Sequence, residues 1–401
     1  MSMLTFVKSL KRTIKGCANS RLFLAMNDAL KTKLVHNYFN TNYQNTVLVS
    51  YITHPFSHKK ANYAHTNNVE AYAIADVFRL LRYNVDVVDF NYGKAIDYSK
   101  YSVIFGFGDP LENSYYSPLT NSIIRIFYST GKSVYSQNFS TMKRAKELYK
   151  RKGKWLLAST RALNKIWPAQ IHLADAIIAL GNDDTVESYT RYYENKVYRI
   201  PASYYKLFDY TKILEQKNLN EAKNHFLWFG GPGLIHKGLD ILLDLFPTKP
   251  NIHLHICGNI QNEVEFERVY YKELYKTPNI HTYGFVDISS DAFKNILVKC
   301  CFAIFPSCSE GGTPSILNVM GNGGLIPIIT KECSIDINGF GFIIKTIDIE
   351  YISALIDKVL KLNSSKLKEL SIQSGKFTNS YHLITNYKKE LSKCLLSILT
   401  I

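Results

Sequence analysis

Between residues 46 and 345 short runs of β-forming residues alternate with helical stretches, twice over. That alternation admits little besides parallel sheets carrying helices on both faces. TVLVSYI (46–52) reads as a buried first strand, followed by a loop and a helix from about Asn68 to Arg82 with Ala71, Ile74, Val77 and Leu80 on one face. VDVVDF (85–90), SVIFGF (102–107), SVYSQ (133–137), AIIAL (176–180) and KVYRIP (196–201) supply further strands. The basic, irregular stretch 203–223 reads as a linker, after which the pattern begins afresh. HFLWFG (225–230), IHLHICG (252–258), NIHTYG (279–284), CFAIFP (301–306), LIPII (325–329) and GFIIK (341–345) are strands, and GLDILLDLF (238–246) is a helix. The chain from about Asp348 to Ile401 reads as helices. The expected fold is α/β, with two Rossmann-like doubly wound domains facing a cleft and helices at the C-terminus. The expected boundaries are a helical N-terminal segment at 1–44, domains at 45–205 and 224–375, a linker at 206–223 and a final helix at 376–401. A chain of 401 residues, 46% hydrophobic, is long enough for each half to bury a core of its own. In such sheets ligands bind at the carboxyl ends of the strands.

Charge narrows the partners. Lys and Arg number 48 against 33 Asp and Glu, a net +15 that suits a nucleotide, a nucleic acid or an acidic membrane surface. The basic residues are spread along the chain and no nucleic-acid-binding motif is present, which sets that partner aside. The seven cysteines are scattered without a CxxC pair, arguing against a zinc ribbon or a disulfide scaffold and for a reducing cytosol. No run of 18 apolar residues occurs. Residues 1–33 carry seven basic side chains and one acid, with Leu4, Val7, Leu10 and Ile14 on one helical stripe. Such a helix would either lie on an anionic membrane or pack on the body of the protein.

Two motifs in the second half carry chemistry. In GGPGLIHKGLD (230–240), Gly230, Gly231 and Gly233 permit a tight turn with exposed amides, and Lys237 arrives just before a helix start. Together they make an anion site suited to a diphosphate. His236 occupies a position where a Walker loop and a GxGxxG turn both need glycine, so neither motif is present. In PSCSEGGTPSILNVMGNGGLIPII (306–329), Thr313 is placed as an N-cap and Pro314 as a first helical residue, giving a second anion site with Ser315 beside it. Glu310 adjoins that site. A carboxylate there makes sense as an acceptor of hydrogen bonds from hydroxyls attached to the bound anion, as on a sugar; the plainer role is a cap or salt bridge.

These two motifs resemble those of the retaining, metal-independent glycosyltransferases of the GT-B fold, the family 4-like group known as glycosyl transferases group 1. HKGLD (236–240) is similar to that group's phosphate-lysine motif, the 306–329 segment to its Glu-based signature, and YGFV (283–286) to the segment lining the nucleobase pocket. The resemblance covers about 225–345. It implies that Lys237 neutralises the donor diphosphate and that Glu310 holds the donor sugar. The implied donor site is Gly230, Gly231, Gly233, Lys237, Asn259, Phe285, Val286, Glu310, Gly311, Gly312, Thr313, Pro314, Ser315 and Asn318. Two positions depart from the pattern. Asn318 stands where the second Glu of the signature would bind ribose, and Pro232 where an Arg often precedes the lysine by five residues.

The first half is then expected to bind the acceptor. Its first loop, THPFSHKKANYAHTNN (53–68), offers His54, His58, His65, Asn67 and Asn68; Asp109 and Asn138 follow later strands. The candidate catalytic residues are Glu310 and Lys237 on the donor side and His65 and Asp109 on the acceptor side. No metal site or cofactor is expected beyond the nucleotide-diphosphate sugar itself, since no D-x-D pair or His/Asp cluster is present. The implied function is glycosyl transfer in the cytoplasm or on the inner face of the membrane. The acceptor would be a glycan or lipid-linked molecule of a bacterial surface polysaccharide, such as a capsule or O-antigen. The alternatives are a non-catalytic sugar-nucleotide-binding scaffold and, as a lesser enzymatic rival, a nucleotide-sugar epimerase.

Overall fold

The computed structural model describes residues 33–57, 63, 65–118 and 122–400. The first sheet holds β1 (Leu34–Val35), β2 (Asn45–Tyr51), β3 (Tyr83–Asp89), β4 (Val103–Gly106), β5 (Ile124–Ser129), β6 (Ala176–Leu180) and β7 (Val197–Ile200). Its order is β1-β3-β2-β4-β5-β6-β7, parallel except for β1, which runs antiparallel to β3. The second sheet holds β8 (His225–Phe229), β9 (His253–Cys257), β10 (Ile280–Gly284), β11 (Phe302–Phe305), β12 (Ile326–Thr330) and β13 (Phe342–Ile344), ordered β10-β9-β8-β11-β12-β13 and parallel throughout. The strand order reverses between β2 and β4 in one sheet and between β8 and β11 in the other. Each switch point opens a crevice at the strands' carboxyl ends, and the two crevices face one another.

The helices that frame this cleft are α1 (Asn67–Leu80), α2 (Asp109–Ser114), α3 (Val134–Lys152), α4 (Tyr210–Gln216), α5 (Leu239–Leu245), α6 (Asp291–Lys299), α7 (Pro314–Gly323), α8 (Ser364–Tyr381) and α9 (Ile384–Leu399). The helix α9 packs back onto α1 and β7, burying Tyr387, Leu391 and Leu395 in the first half. Tyr387 and Tyr128 exchange a hydrogen bond at 3.0 Å in that core, and Lys388 reaches Asp76 at 2.7 Å. The C-terminal helix is therefore part of the first half's fold.

Three expectations need correction. SVYSQ (133–137) is no strand: Ser133 accepts from the Ser136 amide and starts α3, and the preceding IRIFYS (124–129) is the strand. Both runs are rich in β-formers, but the Thr130–Lys132 turn separates them and the serine cap decides. The stretch 203–223 carries α4 and a short helix at Leu219–Ala222, and α4 packs on α7, α6 and α8. Within 33–44 the chain forms β1 rather than a helix. The amphipathic pattern at Leu4–Ile14 lies outside the described residues.

One face of β8–β10 carries a stack of imidazoles. His225 Nδ1 lies 2.8 Å from His255 Nε2, and His253 Nδ1 lies 3.1 Å from His281 Nε2. His255 Nδ1 lies 2.8 Å from the Tyr283 hydroxyl. Burial lowers all four, reinforced by the charge of Lys299 on each and by the neighbouring rings on His225, His255 and His281; His225 falls to about 4. Unfolding releases these rings to bind protons near pH 6.5, so the stability they confer is full above that pH and lost as pH falls toward 4. Melting temperature is expected to drop steadily between pH 7 and 5, with a shallower slope for His255→Gln. Equal slopes would show that the stack does not carry the effect.

Candidate active site

The loop leaving β8 is held by its own side. The Gly230 amide donates to Cys257 O at 3.0 Å, while the amides of Gly233 and Leu234 donate to Glu263 at 2.5 and 3.1 Å. At Gly238 φ is +71° and an added Cβ would lie 2.4 Å from Pro306 O, so only glycine fits where this loop meets the end of β11. That close approach aims Lys237 at the neighbouring loop, with Nζ 2.6 Å from Glu310 Oε1. His236 binds the two loops together. Its Nε2–H donates to Ser309 O at 2.6 Å, and burial lowers the ring to about 3, keeping it neutral.

Glu310 lies against the first half. An added Cβ on Gly311 would sit 2.3 Å from Thr130 O across the cleft. Arg161, from the loop after α3, brings Nη1 to 3.6 Å from Glu310 Oε2. The Ser307 hydroxyl donates to Glu310 Oε1 at 2.9 Å. Burial works to raise this carboxylate, yet Lys237 and Arg161 hold it down at about 2. Burial also pulls the Lys237 ammonium below its usual range, against the attraction of Glu310. The result is a buried ion pair with a second cation at its edge. An incoming anion finds two positive groups and a carboxylate that must turn to other donors.

The cavity at this point has a volume of about 270 Å³ and gathers most of the candidates: His65, Gly230, Gly231, Lys237, Asn259, Phe285, Val286, Glu310, Gly311, Thr313, Pro314, Ser315 and Asn318. Thr313 heads α7 at φ +36°, but its hydroxyl donates to Cys333 O at 2.6 Å instead of capping. The amides of Gly311 and Ser315 have no hydrogen-bond acceptor among the described residues.

Other candidates lie elsewhere or are already engaged. Gly233 is outside the cavity with its amide taken by Glu263, and Gly312 packs against Ala202. Asp109, at the start of α2, is also outside; it accepts from Trp167 Nε1 at 2.7 Å and pairs with Lys165. Asn138 lies within α3 and donates to Leu163 O at 2.8 Å. Asn318 lines the cavity, but its Oδ1 accepts from the Tyr205 amide at 3.1 Å and its Nδ2 donates to Pro314 O at 2.9 Å. One helical turn on, Asn322 Oδ1 accepts from the amides of Leu207 and Phe208 at 2.7 and 2.8 Å. The two asparagines clamp the crossover between the halves. His58 falls outside the described residues.

Arg161 and Glu70 are cavity residues that sequence reasoning missed. Arg161 sits in an irregular stretch, 76 residues ahead of Lys237, and no local pattern marks it. Its position is set by backbone: Ile235 N donates to Ser159 O at 3.1 Å across the cleft, and Gln137 Nε2 donates to Arg161 O at 2.7 Å. Glu70, on α1, is buried and takes hydrogen bonds from the Tyr51 hydroxyl at 3.3 Å and the Ser203 hydroxyl at 3.4 Å. Its one sequence signal is an acid among the apolar residues of a helix face. Burial raises it to about 7. The folded chain then holds a proton that the unfolded chain has released, so this stability is full below about pH 4.5 and is lost as pH rises through 7. Glu70→Gln is expected to melt above wild type at pH 8, by up to about 3 kcal/mol, and level with it at pH 4. A variant that melts no higher at pH 8 would mean the carboxylate is well solvated.

His65 has its Nδ1 3.2 Å from the Asn67 amide, which it accepts from. Desolvation, then the charges of Arg161 and Lys237, lower its pKa, so it enters the cleft as a neutral ring. Among the described residues no group of three or more His, Cys, Asp and Glu is placed to hold a metal ion, and no helix is long and apolar enough to cross a membrane.

Residues 210–376 match the family model of glycosyl transferases group 1. No curated protein sequence matches the chain. Among solved structures, sucrose-phosphate synthase from Thermosynechococcus elongatus is 13% identical, with a TM-score of 0.62 over 89% of this chain and 99% of that one. HepE from Anabaena, solved with UDP-glucose, is 10% identical, with a TM-score of 0.59 over 88% and 99%. A glycosyltransferase from Rickettsia africae is 11% identical, with a TM-score of 0.57 over 89% and 99%. At these identities the likeness is one of fold, and that fold is GT-B.

Proposed function

We propose that this chain, which has the GT-B fold and whose residues 210–376 match the model of glycosyl transferases group 1, carries out retaining, metal-independent transfer of a sugar from a nucleotide diphosphate to a glycan or lipid-linked acceptor. The observation that carries the proposal is the Lys237–Glu310 pair at 2.6 Å, set between two glycine-rich loops at the mouth of α7. When the donor binds, its diphosphate takes Lys237, and Glu310 turns to accept from the sugar hydroxyls. HepE is solved with UDP-glucose, which favours a uridine nucleotide as the first donor to try. Phe285, Val286 and Asn259 form the wall against which the base would lie.

The bond broken is the one from the anomeric carbon to the diphosphate oxygen. The bond formed joins that carbon to the acceptor oxygen on the same face, and the acceptor's proton leaves with the diphosphate. Charge grows on the leaving oxygen, and Lys237, Arg161 and the amides at the head of α7 oppose it without the help of a metal. His65, neutral, and Glu70 border the acceptor side. The expected setting is the assembly of a bacterial surface polysaccharide.

Incubation with UDP-, GDP- and ADP-sugars and candidate acceptors is expected to yield one transfer product. Its anomeric configuration, read by NMR, is expected to match the donor's, and EDTA is expected to leave the rate unchanged. Binding of a sugar nucleotide without turnover on any acceptor would favour the scaffold reading, for which the engaged Asn318 is the supporting observation.

A further inference from the structure

Basic residues recur along the whole chain but acids do not keep pace everywhere: residues 134–174 hold nine Lys and Arg and one acid, Glu147, so this tenth of the chain carries a net +8 of the total +15. The fold divides these cations between paired and unpaired positions. Arg144 donates to Pro306 O in the second half, and Arg151 binds Asp240 and Asp244 there; both arginines face inward and hold the halves together. Lys152 joins them, with Nζ 2.7 Å from Asp244, while Lys150 and Lys165 pair with Glu147 and Asp109. Lys143 and Lys146 are exposed on α3 without an ion-pair partner among the described residues, and so is Lys154 just beyond the helix. Interleaved with them on the outer face of α3 are Phe139, 73% exposed, Met142 and Tyr149. Trp155 is 54% exposed and stacks on Tyr149 with ring centroids 4.4 Å apart. Leu163 continues the patch, tied to α3 by the Asn138 side chain at 2.8 Å, and two residues earlier Arg161 lines the cavity.

We propose that this outer face of α3, with the loop that follows it, docks the protein on an anionic lipid surface and sets the mouth of the cleft against that surface. Exposed Phe, Trp, Leu and Met side chains at one level with unpaired lysines are what an interfacial patch requires: apolar groups enter the acyl boundary while the ammonium groups meet lipid phosphates. A nucleic acid is the poorer fit. The Tyr149 and Trp155 rings stack on each other, which leaves Phe139 as the one unstacked exposed ring of the patch, and Arg144 and Arg151 are turned to the second half. The proposal deepens the function above by making the acceptor lipid-linked, and rests on that reading for this last step alone.

The test uses the full chain and vesicles of phosphatidylcholine, with or without 30 mol% phosphatidylglycerol, read by flotation. Wild type is expected to float with the anionic vesicles and much less with the neutral ones. Lys143→Glu, Lys146→Glu and Lys154→Glu together are expected to cost more than tenfold in partition, at several-fold per charge. Phe139→Ser with Leu163→Ser, which leave every charge in place, are expected to weaken binding as well. None of these residues lines the cavity, so nucleotide binding and melting temperature are expected to stay at wild-type values. That separates failure of the patch from failure of the transferase reading. The proposal is overturned if wild type floats with neither vesicle or if both variants float like wild type. It is also overturned if flotation instead follows Lys8, Lys11, Arg12 and Lys15, or if the lysine variants lose only binding to an oligonucleotide.

Discussion

Lys237→Ala is expected to lower glycosyl transfer by about 10²–10³-fold, the loss that follows removal of one preorganised group opposing charge in a transition state. The same change leaves the buried Glu310 with only Arg161, 3.6 Å away, to offset its charge, at a cost of up to about 3–5 kcal/mol of stability. Lys237→Ala combined with Glu310→Gln removes that strain and is expected to recover the melting temperature without recovering the rate. Glu310→Gln alone separates the two roles. It frees Lys237 and Arg161 from their internal counter-ion, so the bare nucleoside diphosphate is expected to bind at least as tightly as to wild type. The extra affinity of the sugar conjugate is expected to disappear. Calorimetric titration of wild type and the three variants with UDP and a UDP-sugar reads the binding, and a transfer assay with thermal melts reads the rate and the stability. Loss of UDP binding in Glu310→Gln would sink the assignment of Glu310 to the sugar, because a residue that only repels phosphate cannot be needed by it.

The sheets were legible because parallel strands buried on both faces are continuous apolar runs, and β6 falls on AIIAL residue for residue. The donor loops were legible for a different reason. Gly238 and Gly311 lie where a Cβ would strike backbone at 2.4 and 2.3 Å, so the glycine pattern that marks the motifs is the steric imprint of the close approach. Illegible were the features set by the meeting of the two halves. Gly233 looked like a ligand-facing amide, yet Glu263, 30 residues away, takes it. Asn318 looked like a weakened ribose ligand, yet it and Asn322 fasten the crossover at 205–208. Asp109 follows a strand end, as a ligand residue would, but Trp167 and Lys165 claim it. In each case the deciding partner is remote in sequence, and periodicity carries no information about it.

The same logic makes Arg161→Ala the sharpest test of how the halves cooperate. Pro232 leaves the second half without the arginine that usually accompanies its lysine, and Arg161 of the first half stands beside the same carboxylate at 3.6 Å. If Arg161 supplies the missing charge, its removal is expected to weaken binding of the nucleoside diphosphate by about 10–100-fold, the range of a charge-assisted hydrogen bond. It is also expected to flatten the salt dependence of that binding. A merely structural arginine would give the first effect through misplacement of the loop. It would not give the next. An added Cβ on Gly233 would sit 2.5 Å from Arg161 Cγ, so the arginine stem already passes over the residue next to Pro232. A guanidinium grown from position 232 therefore starts beside the place the lost one occupied. Pro232→Arg in the Arg161→Ala background is expected to restore most of the affinity and the salt dependence, while Pro232→Ala in that background is expected to restore neither. Rescue would mean that the charge matters and the half that delivers it does not. Failure of Pro232→Arg, with Arg161→Ala still weak, would mean that the donor site is completed only when the first half closes on it.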